Sequence, residues 1–256
     1  MALVTDAIVL HAFDYLESSR ILRLVTREAG VRSVLARGAR KSKHRFGTAL
    51  DLFAQGSAEL QVKPGRDLDT LVAFDVSRAR PLLAMHLERF SGASAIAELT
   101  LRFARDEADG LFDAVAATLD ELSSSPPEQA RAAALGGAWR ILAELGFAPT
   151  IDNCAECHAS VDEQSPAIFS HPVGGVLCAR CGHVARGGRT LPPSARAALR
   201  DWLAGEQHVS VDAQEARAHQ RLLREFVLEH LADDRPLRAF DVWERETLTT
   251  GAGVAK

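Results

Sequence analysis

The sequence predicts an α+β, multidomain protein: a small N-terminal β-barrel, then an all-α domain with a four-cysteine module inserted in it. Three observations carry that prediction. Apolar residues recur with a period of two from Thr5 to Arg78, and with a period of about three and a half beyond Pro81. All four cysteines of the chain fall between Cys154 and Cys181. Size agrees, because 256 residues with 47% hydrophobic content exceed the usual single-domain mode and can bury a large core.

The barrel is read strand by strand. Ala7 to Tyr15 is a mostly apolar run, Ile21 to Thr26 alternates arginine with aliphatics, and Val31 to Arg37 resumes after the Ala29-Gly30 turn. Ala58, Leu60 and Val62 then alternate with Glu59 and Gln61, Pro64-Gly65 signals a turn, and Val72, Phe74 and Val76 alternate up to Pro81. Five short strands joined by a basic, glycine-containing connection between the third and fourth outline a small closed barrel such as the OB-fold. SH3-like barrels share this outline.

Beyond Pro81, Leu83, Leu87, Phe90, Ala97 and Leu101 make one helical face, and Leu111 to Leu122 makes a second helix that stops at Ser123-Ser124-Ser125-Pro126-Pro127. A third begins near Glu128 and carries Leu135, Trp139, Leu142 and Leu145 before Gly146. After Pro192-Pro193 come a helix to about Ala204 and a longer one from Ala213 to Leu231, striped by Leu222, Leu223, Phe226, Val227 and Leu231. The expected divisions are therefore 1–80 for the barrel, 81–150 and 191–243 for the two parts of the helical domain, 151–190 for the cysteine module, and 244–256 for a disordered tail.

The cysteines stand as Cys154-Ala-Glu-Cys157 and Cys178-Ala-Arg-Cys181, twenty residues apart. A C-x-x-C turn lets two thiolates converge on a point, and two such turns supply the four soft ligands of a tetrahedral Zn²⁺ ion. Four ligands leave no open position, so one structural zinc is expected, its binding energy appearing as folding energy. Two disulfides or four reduced core thiols are the alternatives, and His171 and His183 are the substitute ligands if a cysteine is not used.

Charge separates the two parts. Residues 1–80 hold 13 Lys and Arg against 9 Asp and Glu, a balance of +4, which leaves 17 against 25, or −8, beyond them. Contact with a polyanion thus belongs to the N-terminal part. Within it Arg37, Arg40, Lys41, Lys43 and Arg45 place five cations in nine residues without an acid, and Ser42 adds a hydroxyl donor. Small residues between the cations let the backbone approach phosphates, so this run is the candidate nucleic-acid contact, with Phe46 its candidate stacking ring. A solvated surface loop is the plain alternative.

No segment approaches eighteen uncharged apolar residues, and the N-terminus lacks a basic stretch followed by an apolar one, so neither a membrane nor export is expected. Enzymatic signatures are also missing: there is no G-x-x-x-x-G-K-[ST], H-E-x-x-H or G-x-S-x-G. His86-Leu-Glu88 superficially resembles a zinc-deaminase signature, but neither cysteine pair follows a proline and two pairs are present. The expectation is a protein that is not an enzyme.

Several blocks together resemble a known family. Ile8-Val9-Leu10, Tyr15-Leu16-Glu17-Ser18, Arg20-Ile21-Leu22, Thr26-Arg27-Glu28-Ala29-Gly30, Arg37-Gly38-Ala39-Arg40-Lys41 and Phe46-Gly47 are similar to the N-terminal domain of the bacterial recombination mediator family RecO. Leu145-Gly146-Phe147-Ala148-Pro149, the two cysteine turns with Gly174-Gly175, Leu228-Glu229-His230-Leu231 and Pro236-Leu237-Arg238-Ala239-Phe240 resemble its C-terminal domain. The resemblance runs from about residue 4 to 243. It departs at Ala239 and Asp241-Val242-Trp243, where the family pattern is more basic.

The resemblance implies an OB-fold followed by a helical domain with a zinc module, in a cytoplasmic, nucleoid-associated protein of DNA repair. It implies binding of single- and double-stranded DNA, annealing of complementary strands, and contact with the C-terminal tail of single-strand-binding protein. It also implies a partnership with RecR that leads indirectly to RecA loading. The sequence adds one weak groove candidate for that acidic tail, Arg131 and Arg140 on the third helix. The rival reading is a zinc-stabilised protein-interaction scaffold without direct DNA binding.

Overall fold

β1 (Ala2–Tyr15) is long enough to serve two neighbours. Its residues 2–8 pair antiparallel with β4 (Gln55–Gln61), and residues 7–15 pair with β2 (Ser19–Thr26). β2 continues into β3 (Gly30–Ala36), β4 pairs with β5 (Asp69–Arg78), and β3 meets β5 in parallel at Val34–Asp69 and Leu35–Thr70. The result is a closed barrel of order β1-β2-β3-β5-β4, the OB-like architecture expected from the sequence. This computed structural model describes residues 1–40, 46, 50–62, 65, 67–104, 110–185, 187–206, 212–231 and 235–250, the last five by backbone alone.

Closure requires β1 to bend, and it bends at a register shift between Val9 and His11. There the chain entering β4 fills the gap: the Val9 N–H donates to the Ala54 carbonyl at 2.9 Å and the Phe53 N–H donates to the Val9 carbonyl at 2.7 Å. A second irregularity lies at Gln55/Gly56, where a Cβ on Gly56 would overlap the Asp75 carbonyl, so this close approach of β4 and β5 requires glycine.

Alternation sends Ala7, Val9, Leu22, Leu24, Val34, Ala36, Ala58, Leu60, Leu71 and Phe74 inward, and Phe46 and Leu50 of the β3–β4 connection join them. Ile8 and Val25 point outward opposite each other yet are also fully buried. Helices cover them. α1 (Leu82–Met85) leads into α2 (Leu87–Phe103), followed by α3 (Leu111–Ser124), and α2 and α3 pack on β1. Arg80 ties barrel to helix from a buried position. Its guanidinium donates to Asp120 Oδ1 at 2.7 Å, the Phe53 carbonyl at 2.8 Å and Gln55 Oε1 at 2.8 Å. Phe53 holds a left-handed φ of 67° at this point. By contacts this first compact unit is Met1–Ser125 and the second is Pro126–Lys256.

The second unit is organised on α4 (Ala130–Glu144), which is buried almost all round. Its alanines and glycines let neighbours come close: a Cβ on Gly136 would stand 2.7 Å from Trp202 Cδ1 of α6 (Pro193–Leu203). Trp139 meets Phe226 of α7 (Ala213–Leu231) edge to face at 5.2 Å. α8 (Arg238–Thr250) continues through residues 244–250, which the sequence reading assigns to the tail. Buried Phe240 and Trp243 hold it, and Arg224 donates to Asp241 at 2.7 Å and Glu244 at 2.6 Å.

Between α4 and α6 lies the cysteine module, where β6 (Ala167–Ser170), β7 (Gly175–Leu177) and β8 (Arg189–Leu191) form a sheet of order β7-β6-β8. No helix among the described residues is long and apolar enough to cross a membrane.

Candidate metal centre and nucleic-acid interface

β7 is the joint of the metal centre. It receives the first cysteine turn by backbone bonding: the Ala155 N–H donates to the Val176 carbonyl and the Cys154 N–H to the Ala159 carbonyl, both at 2.8 Å. His158 closes that turn with a φ of 61° and donates its N–H to the Cys154 carbonyl at 2.8 Å. β7 then runs directly into Cys178, which stands before the first residue of α5 (Ala179–Val184). Cys181 follows one helical turn later and so shares its face. The Gly182 N–H donates to the Cys178 carbonyl at 2.8 Å, completing the second turn.

The four Sγ atoms of Cys154, Cys157, Cys178 and Cys181 lie within 4.8 Å of one another, and Cys157 and Cys178 are 3.7 Å apart. A tetrahedron with metal–sulfur bonds of about 2.3 Å has edges of about 3.8 Å, so the cluster is sized for one ion. All four are free thiols, not disulfides. The substitute ligands stay out of the cluster. His171 instead turns Nε2 towards Glu225 at 3.5 Å.

The electrostatics suit a cation as well. Burial opposes ionisation of Cys154, but backbone N–H groups of Cys178, Cys157 and Glu156 outweigh it and bring the thiol down to about 6. Cys181 goes the other way, pushed up to about 12 by the hydrogen bond with Cys157 and by desolvation. Such opposite shifts are what packed thiols show when one negative charge discourages the next, and a divalent ion removes that conflict. Arg180, between the second pair, is held above its ordinary value by Cys157 and Cys181.

Arginines also brace the module from α6. Fully buried Arg196 donates to the carbonyls of Asp162 and Val161, both at 2.9 Å, and Arg200 donates to Asp152 Oδ1 at 2.6 Å. Neither these nor Arg80 figures in the sequence reading. A lone arginine in an amphipathic helix gives no sign of whether it faces water or a neighbour's carbonyl.

The basic run leaves the barrel where β3 ends. Arg37 and Arg40 are both exposed there, and the Arg40 N–H donates to the Ser18 carbonyl at 3.0 Å, which pins the turn to the β1–β2 hairpin. Asp14 of that hairpin lies between two guanidinium groups, 3.2 Å from Arg20 Nε and 3.6 Å from Arg40 Nε. Lys41, Lys43 and Arg45 lie outside the described residues.

Phe46 requires a correction: it is 2% exposed within the barrel core and has no face to offer a base. An aromatic ring packed among the apolar side chains of the barrel gains more from burial than from solvent. On α4, Arg131 and Arg140 are half-buried and each already has an interaction.

Residues 1–80 match the family model described as Recombination protein O N terminal, and residues 85–239 match Recombination protein O C terminal. The chain belongs to the RecO family.

Among curated relatives, the DNA repair protein RecO of Anaeromyxobacter sp. (strain K) is 42% identical over 192 residues, 73% of each chain. RecO of Gloeobacter violaceus is 31% identical over 89% of this chain and 87% of its own. RecO of Geobacter metallireducens is 32% identical over 92% and 94%. The RecO N-terminal match thus ends with the barrel, and the C-terminal match takes in α2 to α7 together with the cysteine cluster.

Proposed function

We propose that this RecO-family chain is a non-enzymatic recombination mediator of DNA repair. It holds single- and double-stranded DNA by the phosphates, anneals complementary strands, and helps load recombinase onto DNA coated with single-strand-binding protein. RecR and the tail of single-strand-binding protein are its direct partners, RecA an indirect one, and it works in the cytoplasm at the nucleoid. The four cysteines hold one Zn²⁺. A closed shell of thiolates has no site for a reacting water, so the ion supplies folding energy and these residues fix the module's shape.

The observation that carries this reading is the exposed pair Arg37 and Arg40, just after β3 of an OB-like barrel, leading into Lys41, Lys43 and Arg45 within the net positive stretch of residues 1–80. Phosphate contacts release counterions, so affinity falls steeply with salt and depends little on base sequence.

The test is a salt series of single-strand binding for the parent and for Lys41→Ala/Lys43→Ala. The expected result is a log–log slope smaller by about 0.7 for each lost phosphate contact, with annealing weakened in parallel. A double variant that binds and anneals like the parent at every salt concentration removes the basic run as the DNA site. No binding by the parent at all favours the protein-only scaffold.

A further inference from the structure

The outside of β1 carries three rings in a row. His11, Phe13 and Tyr15 alternate with inward-facing positions and so project from one face of the strand. All three are exposed, Phe13 to 42% and Tyr15 to 41%, and the His11 and Phe13 ring centroids are 5.8 Å apart. The same face is fully buried at Ile8 and Val25. Its cover reaches as far as Arg23, opposite His11, where Arg23 Nη2 donates to the Leu101 carbonyl of α2 at 2.8 Å. The rings begin where the helical cover stops.

Register places cations at the other end of the row. Phe13 stands opposite Ile21 and Tyr15 opposite Ser19, while Ile21 is opposite Leu35 on β3. β3 ends at Ala36, opposite Arg20, and Arg37 follows it directly, so the first cation of the run leaves the barrel at the Ser19 end of β2, the end that Tyr15 occupies on β1. Arg40 follows on the same turn, pinned to the hairpin through Ser18.

Burial explains none of the three rings, since the barrel core is filled without them. Leu16 at the hairpin tip would also suit an apolar partner, but Arg20, Arg37 and Arg40 outnumber Asp14 and Glu17 beside this row, and that balance favours a polyanion.

We propose that His11, Phe13 and Tyr15 are a stacking row for the unpaired bases of a single nucleic-acid strand whose phosphates pass Arg37 and Arg40. The proposal rests on the nucleic-acid reading above and adds to it what distinguishes one strand from two. Every base has a π-face, so stacking tolerates any sequence, but a duplex hides those faces between its own pairs. The row therefore adds affinity for single strands alone, while the cations serve both forms. Phe46, the stacking candidate beside the basic run, is buried and unavailable for this role, whereas the rings of β1 are exposed.

The experiment compares the parent, Phe13→Leu, Tyr15→Leu and the double variant by binding to single-stranded, abasic single-stranded and duplex oligonucleotides across a salt series. Leucine keeps an apolar side chain without a π-face, and thermal unfolding of each variant checks that the fold is intact. The expected result is a loss of single-strand affinity of about tenfold per ring. The salt slope and duplex affinity stay unchanged, and in the double variant the difference between normal and abasic strands shrinks to what His11 alone supplies.

Iodouracil-substituted strands should photo-crosslink to Phe13 or Tyr15 in the full chain. Salt-dependent binding by the parent with ring variants indistinguishable from it overturns the stacking row and leaves the mediator reading standing. Equal losses on duplex and single strands also overturn it. No binding of any oligonucleotide by the parent overturns both.

Discussion

The barrel and the three-stranded sheet of the cysteine module both have to dispose of strand edges, and they do so by different means. The barrel closes on itself: every strand has two neighbours, and a continuous set of inward side chains fills the space between them. The β7-β6-β8 sheet has strands of four residues or fewer, and its β7 edge is covered only by a single bridge to Thr150 and a bond from Ala155. So small a sheet is not stable alone. It is held from outside by the cysteine cluster at β7, by Arg196 and Arg200 from α6, and by the Arg189–Glu225 pair that joins β8 to α7. One β-structure is stabilised by closure; under the function proposed above, the other is stabilised by ligation.

Metal removal tests this contrast most severely. A structural zinc contributes about 10–16 kcal/mol of apparent binding energy at neutral pH. Chelation, or Cys154→Ser, is expected to abolish the module's ordered structure while the barrel's amide protons keep their protection from exchange. The measurement is hydrogen exchange with mass spectrometry on the full chain. Metal analysis of untagged protein purified without added metal should give about one zinc per chain. Loss of protection in β1–β5 on chelation would break the contrast, because the barrel would then depend on the module.

The barrel unit has its own polar dependency in Arg80. Burial pushes the guanidinium below its ordinary value, opposed by its bond to Asp120. Replacing it with methionine would keep much of the packing but leave Asp120 with Arg78 alone and the Phe53 and Gln55 acceptors without this donor. Breaking a buried charged pair on one side costs about 3–5 kcal/mol. The 34% exposure of the Asp120 side chain places this case at the low end. Arg80→Met is expected to lower the denaturant midpoint of the barrel unit and leave the module's exchange pattern unchanged. A shift below about 1 kcal/mol would mean that water replaces the lost donor.

Much of this was legible in sequence wherever one face of an element is buried. Period two gave β2 and β4, and the long period gave the helices, because a half-buried element repeats its environment. Doubled C-x-x-C turns gave the metal centre, since the chemistry needs those four residues at that spacing. Strands of three residues with glycine at one end, such as Gly175–Leu177, carry no period to read, so the small sheet was missed. Phe46 was misread for a related reason: a ring beside cations looks the same in sequence whether it plugs a barrel or faces water. Ile8-Val9-Leu10 did hold a signal that went unused, as an unbroken apolar run marks a strand buried on both faces, and α2 and α3 supply the second cover.

The smallest expected effect sharpens how the module is tied to α7. Arg189 donates both ends of its fork to Glu225, and this bond, with the nearby charge of His171, holds the Glu225 carboxyl below its ordinary value of 4.5. A carboxylate depressed in the folded state contributes stability above 4.5 that is lost as pH falls through the lower folded value. His171 is lowered from 6.5, mainly by burial and partly against the pull of Glu225. It therefore favours the folded state above 6.5, and that contribution fades as pH falls below it. Both groups make the second unit weaken towards acid, His171 from 6.5 downwards and Glu225 from 4.5 downwards. Glu225→Gln should remove the window below 4.5 and cost about 0.5 kcal/mol at neutral pH, a small value because both side chains are more than a third exposed. It should also deepen the loss near 6.5, since His171 is left without the carboxylate that favours its charged form. Denaturant unfolding of the second unit from pH 3.5 to 8 reads both windows. A variant whose profile runs parallel to the parent's below 4.5 would show that this pair does not fasten the module, leaving the metal and α6 to hold it.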